Sequence, residues 1–339
     1  MQQMRLGRTG LLVTRTSFGV LPLQRTPKDE AIRILRRAHE TGINFFDTAR
    51  GYSDSEEKIG LALSHVRHEI VIATKSGADT RDKLLKDLET SLNKLRTDHV
   101  DIIQLHKPKA IPDPTDPQSP YAGLIEARAK GMARFIGVTN HSSKLAKEAL
   151  ASGLFDTLQF PLSMLSSVED LDLIDRARKA DVGVIAMKPL AGGLITHIRA
   201  AFAFFRQYDN VAPIWGIQRM EELEEFLRLE AVPPELDDAL RSAIEKDRAE
   251  LSGDFCRACG YCLPCPAEIP IPMAARMSLL LRRMPWEDFL GNGWREKMER
   301  IENCIDCGHC RDHCPYGLDT PELLKRNLAA YRDFRQPNF

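Results

Sequence analysis

Over roughly the first two thirds of the chain, short apolar runs alternate with longer stretches whose apolar residues recur at helical spacing. The runs cover residues 17–20, 44–47, 70–74, 100–105, 133–138, 157–160, 183–187 and 211–217 and predict strands. Between them, 28–40, 55–64, 81–95, 124–130, 143–151, 170–179 and 196–207 predict helices. Such an alternation pairs consecutive strands in parallel through crossover helices. Eight units predict an α/β fold of the closed (β/α)8 barrel type rather than an open doubly wound sheet. No Gly-x-Gly-x-x-Gly turn follows the first strand, which argues against a dinucleotide-binding half of the doubly wound kind. Residues 1–16, with Gly7 and Gly10, lie outside the repeat and predict a hairpin closing the barrel floor.

Composition changes this picture in one respect. A hydrophobic content of 43%, a charged content of 28% and a formal net charge of -1 describe an ordinary globular chain with no basic surplus for nucleic acid. No run approaches the ~18 apolar residues of a membrane span, and the first residues lack the apolar core of a secretory signal. A cytoplasmic protein without membrane contact is expected. All 8 cysteines, however, lie between Cys256 and Cys314, so a separate cysteine-bound module follows the barrel. The predicted divisions are a barrel over 1–232, a linker helix within 233–252 after Pro233 and Pro234, and a cysteine module with a helical insertion and tail over 253–339.

Barrel chemistry is built on the loops that follow the strands. The second strand ends in Asp47, and its loop presents Tyr52 before a Ser/Asp-rich helix start. The third runs into Lys75 and the fourth into His106. A lone lysine or histidine at a strand end is commonly a solvated charge or a structural group, but four protic side chains on consecutive strands point to one site. A phenol of ordinary pKa ~10 is a poor acid near neutrality unless a cation stabilises its phenolate. Lys75 would supply that cation, Asp47 would hold Lys75, and His106 would orient a carbonyl or relay a proton.

Phe45-Phe46-Asp47-Thr48-Ala49-x-x-Tyr52, Ala73-Thr74-Lys75 and Gln104-Leu105-His106 resemble the Asp/Tyr/Lys/His tetrad of the aldo-keto reductases. The resemblance spans about residues 4–230. It implies a barrel that binds NADP or NAD in extended form and passes hydride to a carbonyl carbon while the tyrosine delivers the proton. It also implies nicotinamide contacts from Thr139, Asn140 and Gln159, with Met187 over the ring where many members have an aromatic. Lys188, Pro189, Leu190 and Gly192 would approach the pyrophosphate. Gly216, Gln218 and Arg219 would lie toward the adenosine, Arg219 being a candidate for a 2′-phosphate and thus a reason to favour NADPH. Trp215 replaces a usual proline, and Phe226 replaces an asparagine that often binds adenine. The proline-rich stretch 106–121 is predicted to wall the substrate pocket.

The cysteines fall into two runs, Cys256-x2-Cys259-x2-Cys262-x2-Cys265-Pro266 and Cys304-x2-Cys307-x2-Cys310-x3-Cys314-Pro315. Two quartets ending in proline are the pattern of a two-cluster ferredoxin. Zinc is the alternative, although its four-thiolate sites more usually pair two Cys-x2-Cys units across a spacer. By the ferredoxin pattern Cys256, Cys259, Cys262 and Cys314 hold one [4Fe–4S] cluster, and Cys304, Cys307, Cys310 and Cys265 the other. The first run has two residues, not three, before its last cysteine, so the exchange of Cys265 and Cys314 is the detail that departs from the pattern. Residues 271–301 read as helical, with Met273, Met277, Leu280 and Leu281 as a stripe expected to pack on the barrel. His309 and His313 are expected beside the ligands or in solvent.

The expected function is an NAD(P)H-dependent enzyme reducing an aldehyde, ketone or quinone. Hydride carries two electrons and a cluster passes one. The clusters are therefore structural, or a further cofactor or a redox partner protein intervenes. The alternative is an electron-transfer or redox-sensing protein that uses the barrel as a binding scaffold.

Overall fold

The computed structural model describes residues 1–251, 255–291 and 293–335. Ten strands occur among the described residues: β1 (Gln3–Arg5), β2 (Leu12–Thr14), β3 (Ser17–Gly19), β4 (Phe45–Asp47), β5 (Val71–Ser76), β6 (Val100–His106), β7 (Ala133–Thr139), β8 (Thr157–Pro161), β9 (Gly183–Met187) and β10 (Val211–Gly216). The last eight close on themselves in the order β10, β3, β4, β5, β6, β7, β8, β9. Every neighbouring pair is parallel. This is the (β/α)8 barrel that the alternation predicted.

The strands form because their residues suit a surface buried on both faces. The six residues of β5 are all buried, Lys75 included. β1 and β2 make the antiparallel floor hairpin, and Met4, Leu6, Leu11 and Val13 join Phe45, Ile102 and Ile185 in the cluster that plugs the barrel. Gly7 lies at φ +51, and a Cβ there would sit 2.2 Å from the backbone nitrogen of Gly183. Only glycine fits where the hairpin meets the barrel wall.

The chain divides into two compact units, Met1–Pro189 with Arg199–Leu240, and Leu190–Ile198 with Arg241–Phe339. The segment after β9 therefore belongs with the cysteine module. A helix, Asp238–Glu250, lies within the span expected for the linker, and the boundary drawn at 252/253 lies outside the described residues. The stretch 271–301 is helical as expected, divided among the described residues into four short helices, Ile271–Ala274, Met277–Arg283, Glu287–Leu290 and Trp294–Glu299. Pro285 intervenes, and Gly293 turns at φ +71. Met277, Leu280 and Leu281 are buried, but they pack within their own unit beside the helix Thr320–Arg335. Asn327 fastens the two, accepting from Ser278 N at 2.9 Å and donating to Ala275 O at 3.2 Å.

Candidate active site and cysteine centre

The loop between β4 and the helix Ser55–Leu63 is held against β5 by its own backbone. Thr48 N donates to Ala73 O and Arg50 N to Lys75 O, both at 2.9 Å, and Tyr52 N closes a turn onto Ala49 O at 2.9 Å. Thr48 Oγ1 and Ser55 Oγ share a buried hydrogen bond at 2.9 Å. The helix does not use Asp54 as a side-chain cap; Asp54 pairs instead with the buried Lys58 at 2.9 Å. These contacts fix Tyr52 at the rim.

The tetrad side chains come together there. Lys75 Nζ lies 2.6 Å from Asp47 Oδ2 and also donates to Thr48 O at 2.5 Å. The same ammonium stands 5.2 Å from the centre of the Tyr52 ring. Tyr52 and His106 meet edge to face, with centroids 5.7 Å apart. Behind them, Gln159 donates to Asp47 Oδ2 at 3.3 Å and accepts from Gln104 at 2.8 Å. Asp47 Oδ1 and Gln104 Oε1 are buried acceptors with no protein donor. A carboxamide N–H would satisfy either, which is a fit for a nicotinamide at this end of the barrel.

Burial dominates the acid–base character of the site. It pushes the Asp47 carboxyl up and the Lys75 ammonium down, each opposed by the attraction of its partner. Tyr52 is raised by burial and by the Asp47 charge, so the phenol stays protonated even with Lys75 nearby. His106 is pushed down to about 3 by burial, Lys75 and Lys107. A neutral imidazole can present one N–H to a carbonyl oxygen. Of the two roles open to His106, orientation is the one its charge state supports.

The remaining predicted residues are placed as follows. Thr139 and Gln159 are in register on β7 and β8, and Thr139 Oγ1 lies 3.9 Å from Met187 Sδ. Asn140 is committed locally, donating to Pro108 O at 2.9 Å and accepting from Ser142 N at 2.8 Å. It thereby fastens the start of the proline-rich loop, whose far end is held by Arg81 N donating to Gln118 O at 2.9 Å. Lys188, at φ +57, is half-buried, and Pro189 is buried. Leu190 and Gly192 fall in the second unit, where Gly192 O accepts from Arg276 at 3.2 Å. Gly216 is exposed, and a Cβ there would lie 3.0 Å from Pro22 Cγ. Gln218 accepts from Arg25 Nη2 at 3.3 Å. Arg219 opens the helix Met220–Ala231, paired with Glu222 at 2.8 Å.

Trp215 and Phe226 stack with centroids 4.7 Å apart, and both are buried. The two departures from the family pattern are thus one packing unit. Sequence reading passed over His141, which is buried and held neutral by burial and by the charges of Lys188 and Lys107. A histidine one residue beyond Asn140 carries no periodic signal; its only clue is its place past the end of a barrel strand.

In the second unit the two cysteine runs repeat one backbone pattern. Ala258 and Asp306 have φ +50 and +51, Gly260 and Gly308 have +77 and +72, and Glu268 and Gly317 have +51 and +63. Left-handed residues at matched places turn successive N–H groups inward. Ala258 N already donates to Cys256 Sγ at 3.3 Å. Arg257 stacks on Tyr316, 4.8 Å from its centre, which brings the neighbourhood of Cys314 to the first run. One cavity is lined by Cys262 and Cys265 of the first run together with Cys304, Cys307 and Cys310 of the second. Burial, Cys256 and Cys259 push the Cys262 thiol up to about 12, so a thiolate here requires a cation beside it. Among the described residues no group of three Cys, His, Asp or Glu side chains is placed to hold a metal ion. His309 is half-buried and stacks at 4.0 Å on the exposed His313.

Two family models match the chain: the aldo/keto reductase family over residues 15–203 and a 4Fe-4S dicluster domain over 255–319. L-galactose dehydrogenase of Arabidopsis thaliana is 31% identical over 210 residues, covering 56% of this chain and 66% of that protein. The NADH-specific methylglyoxal reductase of Escherichia coli (strain K12) is 27% identical over 226 residues, covering 58% and 69%. The chain thus spans about two thirds of the length of these relatives. The holo form of an aldo-keto reductase from Bacillus halodurans superposes with a TM-score of 0.65 at 23% identity, over 73% of this chain and 96% of that one. No helix among the described residues is long and apolar enough to cross a membrane.

Proposed function

Because the chain belongs to the aldo/keto reductase family and carries a 4Fe-4S dicluster domain, we propose that it reduces the carbonyl of an aldehyde, ketone or quinone with NADPH or NADH. One observation carries this reading: Lys75 joins Asp47 at 2.6 Å while standing 5.2 Å from the Tyr52 ring, with the neutral His106 against the same ring. When bound, the dinucleotide supplies hydride. The chain's own residues do the rest. His106 orients the carbonyl through an N–H, and Tyr52, kept protonated by burial, gives its hydroxyl proton to the carbonyl oxygen. Lys75 stabilises the phenolate left behind, and Asp47 keeps Lys75 in place. Thr139, Asn140, Gln159 and Met187 hold the nicotinamide end. Lys188, Pro189, Leu190 and Gly192 serve the pyrophosphate, and Gly216, Gln218 and Arg219 the adenosine.

In the second unit, Cys256, Cys259, Cys262 and Cys314 hold one [4Fe–4S] cluster, and Cys265, Cys304, Cys307 and Cys310 hold the other. The stacking of Arg257 on Tyr316, which brings the neighbourhood of Cys314 to the first run, supports this exchange of fourth ligands. The test of the barrel chemistry is Tyr52→Phe. It should abolish NADPH- or NADH-dependent reduction of a generic aldehyde or quinone while dinucleotide binding and iron content stay as in the wild type. Undiminished turnover would overturn the mechanism.

A further inference from the structure

The surroundings of the two cysteine sets differ in charge. Arg276, only 7% exposed, stands four residues beyond Pro272, between two short helices, and the Pro272 carbonyl lies 3.9 Å from Cys256 Sγ. Its guanidinium is fixed from two sides, by Gly192 O at 3.2 Å and by Met273 Sδ at 3.5 Å. The loop side has no room for change. Gly192 has φ +68, and a Cβ there would sit 2.9 Å from Arg276 Nη1. A second guanidinium, Arg257, adjoins Cys256 and lies 4.3 Å from the centre of the Phe255 ring. Where the first run has Ala258, the second has Asp306, and Cys307 beside it is exposed.

Reduction adds one negative charge to a cluster, and net charge, hydrogen bonds to sulfur and exposure are the levers on its potential. A cation favours the reduced form and an anion opposes it. Water over Cys307 also favours the reduced form, but it screens the exposed Asp306 and has little access to the buried Arg276. The buried guanidinium is therefore the stronger influence. Resting on the two-cluster reading above, we infer that Arg276 sets the potential of the cluster held by Cys256, Cys259, Cys262 and Cys314, and makes it the higher of the two. An electron entering at the exposed Cys307 side would then come to rest on the cluster beside Arg276. Because Arg276 also holds Gly192, that electron rests beside the segment that follows β9.

The test is a redox titration of anaerobically prepared full-length protein with dithionite, followed by electron paramagnetic resonance, after iron and acid-labile sulfide have been measured. Two reduction waves are expected. Arg276→Met should move only the higher wave, to more negative potential, and Arg276→Lys should restore it. Asp306→Asn, an exposed change independent of the Arg276 packing, should move only the lower wave, upward. Absence of iron and sulfide would overturn the cluster reading itself. Eight liganded cysteines with a single wave, or an Arg276→Met shift confined to the lower wave or missing, would overturn this inference alone. If Arg276→Met fails to retain iron, Arg276→Gln, which keeps an N–H for Gly192 O but not the charge, takes its place, and an unmoved higher wave there overturns the inference equally.

Discussion

Lys75 and Asp47 form an ion pair 2.6 Å long in which the two side chains are 1% and 3% exposed. Breaking a buried pair from one side costs about 3–5 kcal/mol, because the remaining charge is left uncompensated. Lys75→Met should therefore remove both turnover and stability at neutral pH. Burial already pushes Asp47 upward, so without Lys75 it would take up a proton as the solution is acidified. The stability loss should shrink between pH 7 and pH 5. Urea denaturation at the two pH values checks this, and a penalty independent of pH would show that Asp47 is not left as a buried anion.

His106 is held down to about 3, against about 6.5 for an unstrained histidine. Between those values the unfolded chain binds more protons than the folded one, so this histidine makes stability rise with pH. Its contribution is intact above about pH 6.5 and is lost as the solution is acidified toward pH 3. The stability advantage of the wild type over His106→Asn should thus decline across that window. Its imidazole resonance, identified by the same substitution, should not titrate between pH 8 and pH 5 in a nuclear magnetic resonance series.

Arg219 is exposed, and its side chain is paired with Glu222 at 2.8 Å, while its backbone N–H donates to the same carboxylate at 3.2 Å. An exposed pair of this kind is worth about 0–1 kcal/mol, which a ribose 2′-phosphate can replace. Arg219→Ser should lower the ratio of kcat/KM for NADPH over NADH by roughly tenfold, the scale of one charge-assisted hydrogen bond. Glu222→Gln should move the ratio the other way. Steady-state kinetics with both dinucleotides decide, and an unmoved ratio would take Arg219 out of the adenosine site.

The barrel was legible because its signals are local. Each strand is an apolar run that must be buried on both faces, and each strand end names the next candidate side chain, as Asp47, Lys75 and His106 do. What stayed hidden depends on distant partners. Trp215 and Phe226 look like two separate departures from a family pattern until their rings are found stacked. The residues 271–301 carry enough apolar helix formers to read as helical, and Pro285 and the left-handed Gly293 help divide them into short helices. The stripe of Met277, Leu280 and Leu281 is real, but nothing in its spacing says that its partner is the helix Thr320–Arg335.

The segment Leu190–Ile198 shows the same principle with a testable consequence. By sequence it is the loop after a barrel strand, but it clusters with the cysteine module. Gly192 O is held by Arg276 and Leu194 O by Arg283 at 2.9 Å. Arg283 is itself anchored on the buried Asp247 at 2.9 Å, and His197 approaches the same carboxylate at 3.2 Å. In a small module most of the stability comes from its metal, so extracting iron should unfold it. Loss of the module would release these arginines, and the segment with them. Limited proteolysis of the full chain after treatment with chelator should then give new cuts within residues 190–198 as well as beyond residue 241, located by mass spectrometry. Cuts confined to the region beyond 241 would mean that the segment keeps its structure without the cysteine module.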